Sequence, residues 1–337
     1  MSRFQVVVTD SDHPTHRYEE RVLGAIGAAL RIEQCRTEEC VRDRCGDADA
    51  LLVQYAPVGA VAIAGLPRCR VVVRYGVGYD SLDVPALAQA GVWACNVPDY
   101  GTEEVSTQAL ALVLALNRKL TRLHEATSSG RWDLTDARPI HRLWGQTLGL
   151  VGFGRNGRAV AGKASAFGLR LLAYDPLLPA EQIATAGAQP ASFAEILESS
   201  DIVSLHLPLT PATRHLINAE ALAHMRPSAL LINTSRGGLV DETALWAALA
   251  TGRLAGAGLD VLEQEPPPID HPLLHTDNCI VLPHTAWYSE ESFADLKTKA
   301  AEEVARVLTG QPPRHPLGEQ GSRGAGERRS RGERRSG

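Results

Sequence analysis

The sequence predicts an α/β protein with two Rossmann/flavodoxin-like domains, each built on a doubly wound parallel sheet, with a cleft between them. Two observations lead to this fold class. Short apolar runs alternate with helical stretches along most of the chain, which is typical of parallel strands covered by helices on both faces. A glycine-rich turn, VGFGRNG at residues 151–157, also joins an apolar run to a helical pattern near the middle of the chain. A chain of 337 residues can build two domains with separate cores.

Residues 1–100 are expected to form the first domain. Their apolar runs are typical of strands, and helical patterns lie between them. The predicted strands are 4–9, 50–53, 71–74 and 92–96, and the predicted helices include 18–30 and 84–90. Because this segment has no G-x-G-x-x-G turn, we do not expect it to bind the nucleotide.

Residues 101–288 are expected to form the second domain. A helix rich in alanine and leucine, from Glu103 to about Lys119, leads into it. Six strands are predicted, at 147–151, 169–174, 202–205, 229–233, 256–260 and 279–282. They would complete a doubly wound sheet. A final helix within residues 289–310 is expected to return to the first domain.

The glycine turn predicts a dinucleotide-binding site. Gly152, Gly154 and Gly157 allow a tight turn, close approach of the backbone to a pyrophosphate, and close packing of helix on strand. The helix amides that follow would face the anion. Asp175 ends the next strand, 18 residues after Gly157, where an acid binds the ribose 2′-hydroxyl. No arginine or lysine adjoins Asp175, so the cofactor is predicted to be NAD(H) rather than NADP(H).

The composition argues against several classes of partner. The net charge is −5 and no apolar stretch has the length of a membrane span, so we expect neither a membrane nor a nucleic acid. The N-terminus lacks a signal-peptide pattern, which predicts a cytoplasmic protein. Six cysteines, three of which recur every five residues at 35, 40 and 45, match no zinc motif, so we expect reduced thiols and no metal site.

Residues 311–337 are interpreted as a disordered tail, because most of this segment is arginine, glycine, glutamate and serine. Its arginines could contact a nucleic acid. The glutamates among them favour a solvated tail without that role.

Three side chains that could support chemistry follow predicted strands of the second domain. They are Arg236, Glu265 and His284. A histidine can exchange a hydroxyl proton near neutral pH, a carboxylate can orient it, and a guanidinium can bind a substrate carboxylate through two hydrogen bonds. Taken singly, each has an ordinary structural interpretation, as a surface arginine, an exposed loop acid or a turn residue. Together they favour proton-coupled hydride transfer.

These motifs resemble those of the D-isomer-specific 2-hydroxyacid dehydrogenases, over nearly the whole chain from about Val6 to Gly310. The resemblance implies an NAD-dependent oxidoreductase that interconverts a 2-oxo acid and its D-2-hydroxy acid. Arg236 would bind the substrate carboxylate, His284 would be the acid/base, and Glu265 its partner. A homodimer through the NAD-binding domain is implied as well.

The resemblance also implies cofactor-binding roles. Arg155 and Asn156 would present amides to the pyrophosphate, and Asp260 would lie near the nicotinamide carboxamide. The full set is Gly152, Gly154, Arg155, Asn156, Gly157, Asp175, His206, Pro208, Thr213, Thr234 and Asp260.

By the same resemblance, the first domain, completed by the C-terminal helix, becomes the substrate-binding lobe. Amides of Gly76, Val77 and Gly78 would bind the substrate carboxylate. Arg74 matches an arginine near the substrate in some members, although it could equally form a salt bridge on its strand. The identity of the acid is left open.

Trp287 follows His284 by three positions, as in the C-terminal-binding-protein branch of the family. It would line the pocket for the substrate side chain, or pack against the helix that begins at Ser289. That branch also supplies an alternative function, an NAD(H)-sensing transcriptional co-regulator.

Overall fold

The computed structural model describes residues 3–318, which form two compact units. Unit 1 comprises residues 3–101 and 289–318, and unit 2 comprises Thr102–Tyr288. Both are α/β units with a parallel sheet, so the predicted class of two α/β domains with parallel sheets is confirmed.

Five strands of unit 1 lie within the described residues: β1 (Phe4–Val8), β2 (Ala28–Ile32), β3 (Ala50–Val53), β4 (Val71–Arg74) and β5 (Trp93–Cys95). They pair in parallel in the order β2-β1-β3-β4-β5, the order of flavodoxin-type sheets. Every residue of the central strand β3 is buried, as expected for a parallel strand covered on both faces. The helices among these strands are α1 (Arg17–Gly24), α2 (Glu38–Arg44), α3 (Ala60–Ala64) and α4 (Val84–Gln89).

The helix predicted over residues 18–30 is wrong in its second half. Helix α1 ends at Gly24, and Gly27 turns the chain with a φ of +72°, a conformation that favours glycine. The next residues form β2, which pairs with β1 at the edge of the sheet. Alanine and leucine in this segment mimic a helical pattern, and the pairing with β1 overrides it.

Unit 2 contains seven strands within the described range: β6 (Thr147–Val151), β7 (Arg170–Tyr174), β8 (Gln189–Pro190), β9 (Ile202–Leu205), β10 (Leu230–Asn233), β11 (Gly256–Leu259) and β12 (Cys279–Val281). They run parallel in the order β12-β11-β10-β9-β6-β7-β8. The prediction of six strands missed β8. Its proline cannot donate a ladder hydrogen bond, and this edge position is one of the few that tolerate it.

Seven helices surround this sheet in the described part of unit 2: α5 (Thr102–Asn117), α6 (Leu120–Ser128), α7 (Arg155–Ser165), α8 (Ala180–Thr185), α9 (Phe193–Ser199), α10 (Ala219–His224) and α11 (Glu242–Ala250). Lys163 of α7 forms hydrogen bonds with residues near the start of α5. Its Nζ donates to Ser106 Oγ at 2.8 Å and to Thr107 Oγ1 at 2.7 Å. The helix that follows the glycine turn therefore has a fixed position.

The last helix, α12 (Glu290–Leu308), belongs to unit 1 and packs against α1. Lys297 of α12 and Glu19 of α1 form a fully buried ion pair, with 2.8 Å between Nζ and Oε1. The hydroxyl of Tyr75 donates to the same carboxylate at 2.6 Å, and the ammonium lies 4.5 Å from the centroid of the Tyr75 ring. Burial lowers the pKa of Lys297, and the charge of Glu19 opposes that shift.

The predicted start of the tail at residue 311 is too early. The amide of Arg314 donates to Glu303 Oε2 at 2.8 Å, and the amide of Leu317 donates to the Ala94 carbonyl at 2.8 Å. Leu317 packs on the apolar core of unit 1, so a hydrophobic contact as well as hydrogen bonds holds this segment. Residues 319–337 of that tail lie outside the described residues.

The helices between residues 3 and 318 are all too short or too polar to cross a membrane.

The buried ion pair leads to a stability prediction. Lys297→Met should lower the free energy of unfolding by about 3–5 kcal/mol, because it leaves the charge of Glu19 buried without a partner. The double variant Glu19→Gln/Lys297→Met should recover most of that loss, since glutamine still accepts from Tyr75. Urea unfolding followed by circular dichroism measures both. A double variant no more stable than Lys297→Met would contradict this account.

Candidate active site

The predicted cofactor and catalytic residues of unit 2 lie along one edge of its sheet. The strand order reverses between β6 and β9, and ligands of open α/β sheets bind at the carboxyl ends of the strands beside such a point. The residues that follow β6, β9, β10, β11 and β12 at this edge include Gly152, His206, Thr234, Asp260 and His284.

The glycine turn has the geometry that its sequence predicts. Gly152 has a φ of +94°, and a Cβ there would lie 2.7 Å from the carbonyl carbon of His206. A Cβ on Gly157 would lie 2.3 Å from the Gly152 carbonyl oxygen, so both positions require glycine. At Gly154, by contrast, a Cβ would meet no described atom within 4 Å. Helix α7 begins at Arg155, so the amides of Arg155 and Asn156 lie in its first turn.

Asp175 follows β7 and is held against this turn. Its Oδ2 accepts from the Phe153 amide at 2.8 Å, and its Oδ1 accepts from the Leu177 amide at 2.9 Å. Each oxygen keeps a lone pair, so the carboxylate can also accept from a ligand hydroxyl.

The segment 206–215 follows β9 and lies beside the glycine turn. The His206 amide donates to the Val151 carbonyl at 2.7 Å, and its ring Nε2 lies 2.9 Å from Ser204 Oγ. Burial lowers the pKa of His206 to about 4, so the ring is neutral at physiological pH. Thr213 closes the segment by donating from Oγ1 to the Pro208 carbonyl at 2.7 Å.

Asp260 directly follows β11 and is 1% exposed. Its carboxylate accepts from the amides of Thr285 at 3.0 Å and Ala286 at 2.8 Å, and so fixes the backbone just after His284. Burial raises the pKa of Asp260, while those two amides and the nearby His284 act in the opposite direction.

Arg236 follows β10, and its backbone is held on both sides. Asn233 Nδ2 donates to the Arg236 carbonyl at 2.8 Å. The next residue must be small, because a Cβ on Gly237 would lie 1.9 Å from the carbonyl carbon of Leu262. Arg236 is therefore adjacent to the loop that carries Glu265.

His284 and Glu265 form a hydrogen-bonded pair, with 2.6 Å between Nδ1 and Oε2. The other carboxylate oxygen, Oε1, accepts from the Leu262 amide at 3.0 Å. His284 has a φ of 54°, and its amide donates to the Asp260 carbonyl at 2.8 Å. A left-handed conformation is uncommon outside glycine and persists where the surroundings fix it, often at functional sites.

The charges around this pair favour an ionised carboxylate. Burial acts to raise the pKa of Glu265. The hydrogen bond and charge of His284, the Leu262 amide and the charge of Arg236 outweigh it, and the pKa lies below its usual range. An ionised Glu265 accepts a hydrogen bond from Nδ1–H of His284. This assigns the proton of the neutral ring to Nδ1 and leaves Nε2 to exchange a proton with a ligand.

The predicted substrate-binding residues of unit 1 are Arg74, the last residue of β4, and the loop 76–78 that follows this strand. Arg74 donates from Nη1 to the Tyr75 carbonyl. The Gly76 carbonyl accepts from the Val97 amide at 3.0 Å, and the Val77 carbonyl accepts from Asn96 Nδ2 at 2.6 Å. These bonds fix the loop 76–78, in which Val77 is 47% exposed and Gly78 is partly exposed.

Trp287 lies near the end of unit 2. Its ring packs edge-on against Tyr288, with 5.5 Å between ring centroids. The structure thus gives Trp287 an aromatic neighbour that the sequence analysis did not consider.

Sequence reasoning missed several residues that support the site. Ser204 contacts His206, Ser235 Oγ donates to the Leu205 carbonyl at 2.7 Å, and Asn233 supports Arg236. For Asn233 and Ser235 the available signal was a polar residue inside the run INTSRGG, and for Ser204 one inside the apolar run IVSL, since a buried polar side chain needs a hydrogen-bond partner.

The chain's residues fit a dinucleotide. Thr234 is 7% exposed, and its Oγ1 is a buried hydroxyl without a hydrogen-bond partner among residues 3–318. Such a group at this sheet edge suits a ligand that supplies the missing partner. The open space at Gly154 and the accepting lone pairs of Asp175 suit a pyrophosphate and a ribose.

Comparison with known proteins identifies the family to which this chain is similar. A family model described as the NAD binding domain of D-isomer specific 2-hydroxyacid dehydrogenases matches residues 110–286. A glyoxylate reductase of Korarchaeum cryptofilum is 37% identical over 309 residues, covering 89% of this chain and 93% of that protein.

Solved structures of related enzymes superpose well. A glyoxylate reductase from Paecilomyes thermophila has a TM-score of 0.85 and 28% identity, covering 95% of this chain and 100% of the other. A D-lactate dehydrogenase from Aquifex aeolicus, complexed with NAD and lactic acid, has a TM-score of 0.82 and 27% identity, covering 91% and 96%.

Proposed function

Since the chain belongs to the D-isomer-specific 2-hydroxyacid dehydrogenases, a family of NAD-dependent enzymes, we propose that it interconverts a 2-oxo acid and its D-2-hydroxy acid. The observation that carries this proposal is the 2.6 Å contact between His284 and Glu265, with Arg236 close enough to lower the pKa of the same carboxylate. The three groups stand on the edge of the sheet that carries the glycine turn.

In this proposal, His284 moves the proton. During reduction a hydride adds to C2 of the 2-oxo acid, the carbonyl π electrons pass to oxygen, and that oxygen takes a proton from Nε2 of His284. Oxidation runs the same steps in reverse, with the neutral ring accepting the hydroxyl proton. Glu265 stabilises the charged ring in one direction and holds its tautomer in the other. The nicotinamide, when bound, supplies or accepts the hydride.

Arg236 is proposed to bind the substrate carboxylate. A guanidinium offers two parallel hydrogen bonds to a carboxylate, which fixes the acid in position. The amides of residues 76–78 remain proposed carboxylate ligands from the family resemblance, with Arg74 near them. Trp287 is proposed to line the pocket for the substrate side chain.

Asp175 is proposed to select NADH over NADPH. Its carboxylate would accept from the ribose 2′-hydroxyl and repel a 2′-phosphate. The remaining proposed cofactor contacts run along the sheet edge described above: Gly152, Gly154, Arg155, Asn156 and Gly157 at the pyrophosphate, His206, Pro208 and Thr213 at the adenosine half, and Thr234 and Asp260 near the nicotinamide.

The alternative of an NAD(H)-sensing co-regulator has less support. The relatives described above are two glyoxylate reductases and a D-lactate dehydrogenase, and they are not specific to the C-terminal-binding-protein branch. The catalytic set is also complete in this chain, which favours chemistry over sensing.

A homodimer through unit 2 is part of the proposal. Large apolar side chains of its segment 120–144 are exposed, and apolar surface of this kind marks association sites. The exposed residues are Leu120 (55%), Trp132 (88%), Leu134 (67%) and Trp144 (71%).

The acid/base assignment is tested with His284→Asn. A panel of 2-oxo acids from glyoxylate to branched, thioether and aromatic acids first identifies the best substrate of the wild type. With that acid, the variant's kcat should fall by about 10²–10⁴-fold, the usual contribution of a positioned acid/base. NADH should still bind, as measured by fluorescence titration. If the variant keeps most of its kcat, His284 is not the proton donor.

Cofactor selection is tested with Asp175→Ala. Removing the carboxylate should lower the preference for NADH over NADPH, because the 2′-hydroxyl loses its acceptor and the 2′-phosphate loses a repelling charge. The ratio of kcat/KM for the two cofactors measures the change, with Asp277→Ala, an exposed acid of unit 2 outside segment 120–144, as the control. An unchanged ratio would exclude Asp175 as the selector.

A further inference from the structure

Glu265 stands on a five-residue segment after β11, Val261–Glu265, which we call the acid loop. Both oxygens of Glu265 are engaged, one by the Leu262 amide and the other by His284. The distance between Glu265 and His284 therefore depends on where the backbone of the acid loop lies.

Glu263 ties this loop to the segment 206–215. Its Oε1 lies 3.1 Å from Arg214 Nη2 and also contacts His215 Nε2. His215 has a φ of 51°, and its amide donates to the Gly238 carbonyl at 2.8 Å. A left-handed histidine is uncommon and is retained where neighbouring contacts fix it. Glu263 is one of those contacts.

Glu242, at the start of α11, holds the same loop from another direction. Its Oε1 accepts from the Glu263 amide at 2.6 Å, and its Oε2 lies 3.1 Å from His271 Nε2. The side chains of Glu242 and His271 are only 15% and 17% exposed, so this bond is sheltered from water. The acid loop is thus held in two ways: Glu242 binds the backbone amide of Glu263, and Arg214 and His215 bind its side chain.

We propose that Glu263 is a positioning residue that keeps Glu265 at hydrogen-bond distance from His284. It does so by joining the acid loop to the segment 206–215, which carries three proposed cofactor contacts, His206, Pro208 and Thr213. This inference rests on the proposed function. It assigns a catalytic consequence to a residue that does not touch the substrate or the reacting atoms.

The competing interpretation is an ordinary surface ion pair. Side chains of Glu263, Arg214 and His215 are 30%, 56% and 37% exposed. Pairs with this exposure add little to stability. A merely stabilising pair predicts that catalysis per folded molecule stays constant. A positioning role predicts a change in the proton step itself.

The test uses Glu263→Gln in the full chain. The kcat for 2-oxo acid reduction should fall by about tenfold or more, as small misplacements of catalytic groups do, while KM and NADH affinity change little. In a plot of kcat for reduction against pH, the fall at high pH, which we call the high-pH limb, should also move to lower pH. The reason is that a less well-placed Glu265 stabilises the charged His284 ring less. Arg236 and Asp260, the other charges facing this pair, are unchanged in the variant.

Three further variants make the result decisive. Glu198→Gln is the matched control, because Glu198 also pairs with a histidine of unit 2, His224, at 3.6 Å. In this control, both the high-pH limb and kcat should stay at wild-type values. Glu263→Asp should restore part of the kcat. Arg214→Gln should shift the limb in the same direction by less, and it replaces Glu263→Gln if that variant does not fold.

The outcomes separate the two proposals. A wild-type enzyme that reduces no 2-oxo acid, or a Glu265→Gln variant with full activity, overturns the proposed function. Suppose that the wild type and Glu265→Gln behave as proposed. The positioning role is then overturned if Glu263→Gln leaves the high-pH limb unmoved and lowers kcat only in proportion to the fraction of folded protein. If Arg214→Gln has to replace Glu263→Gln, an unmoved high-pH limb in Arg214→Gln likewise overturns the positioning role.

Discussion

The hydrogen bond between His284 Nδ1 and Glu265 Oε2 organises the edge of the unit 2 sheet. Its 2.6 Å distance requires two loops, after β11 and β12, to meet at one point. Asp260 secures the loop after β12 by accepting from the amides of Thr285 and Ala286, and Gly237 lets the loop after β11 approach by leaving room for Leu262. The site is therefore built by backbone contacts as much as by its charged side chains.

The parallel topology also explains why the proposed catalytic residues lie on the same sheet edge as the glycine turn. In a doubly wound sheet, the carboxyl ends of all strands lie on one edge. The turn after β6 and the pair after β11 and β12 are far apart in sequence, yet the parallel topology gives them a common edge. Binding of a dinucleotide and exchange of a proton can then occur side by side.

The sequence predicted the buried strands of this sheet well, because their signal is local. The predicted strands at 147–151 and 202–205 coincide with β6 and β9, where uninterrupted apolar runs match strands covered on both faces. Edge elements were predicted poorly. Strand β2 was read as helix, and β8 was missed, because their identity depends on pairing with a neighbour.

For the candidate site, residue types and spacing indicated Arg236, Glu265 and His284, and their catalytic roles remain proposals. The supporting contacts could not be predicted. Glu263 looks like any loop acid until the fold brings Arg214, His215 and Glu242 to it from distant positions. The same is true of the buried Lys297–Glu19 pair, whose members lie far apart in the sequence.

The most direct test of the central claim is the pH dependence of the reaction measured in both directions. If His284 exchanges the proton, reduction needs the charged ring and should slow as pH rises, while oxidation needs the neutral ring and should slow as pH falls. Both limbs should disappear in His284→Asn. The account would be contradicted if reduction and oxidation both slowed on the same side of the pH range, or if these pH dependences persisted in His284→Asn.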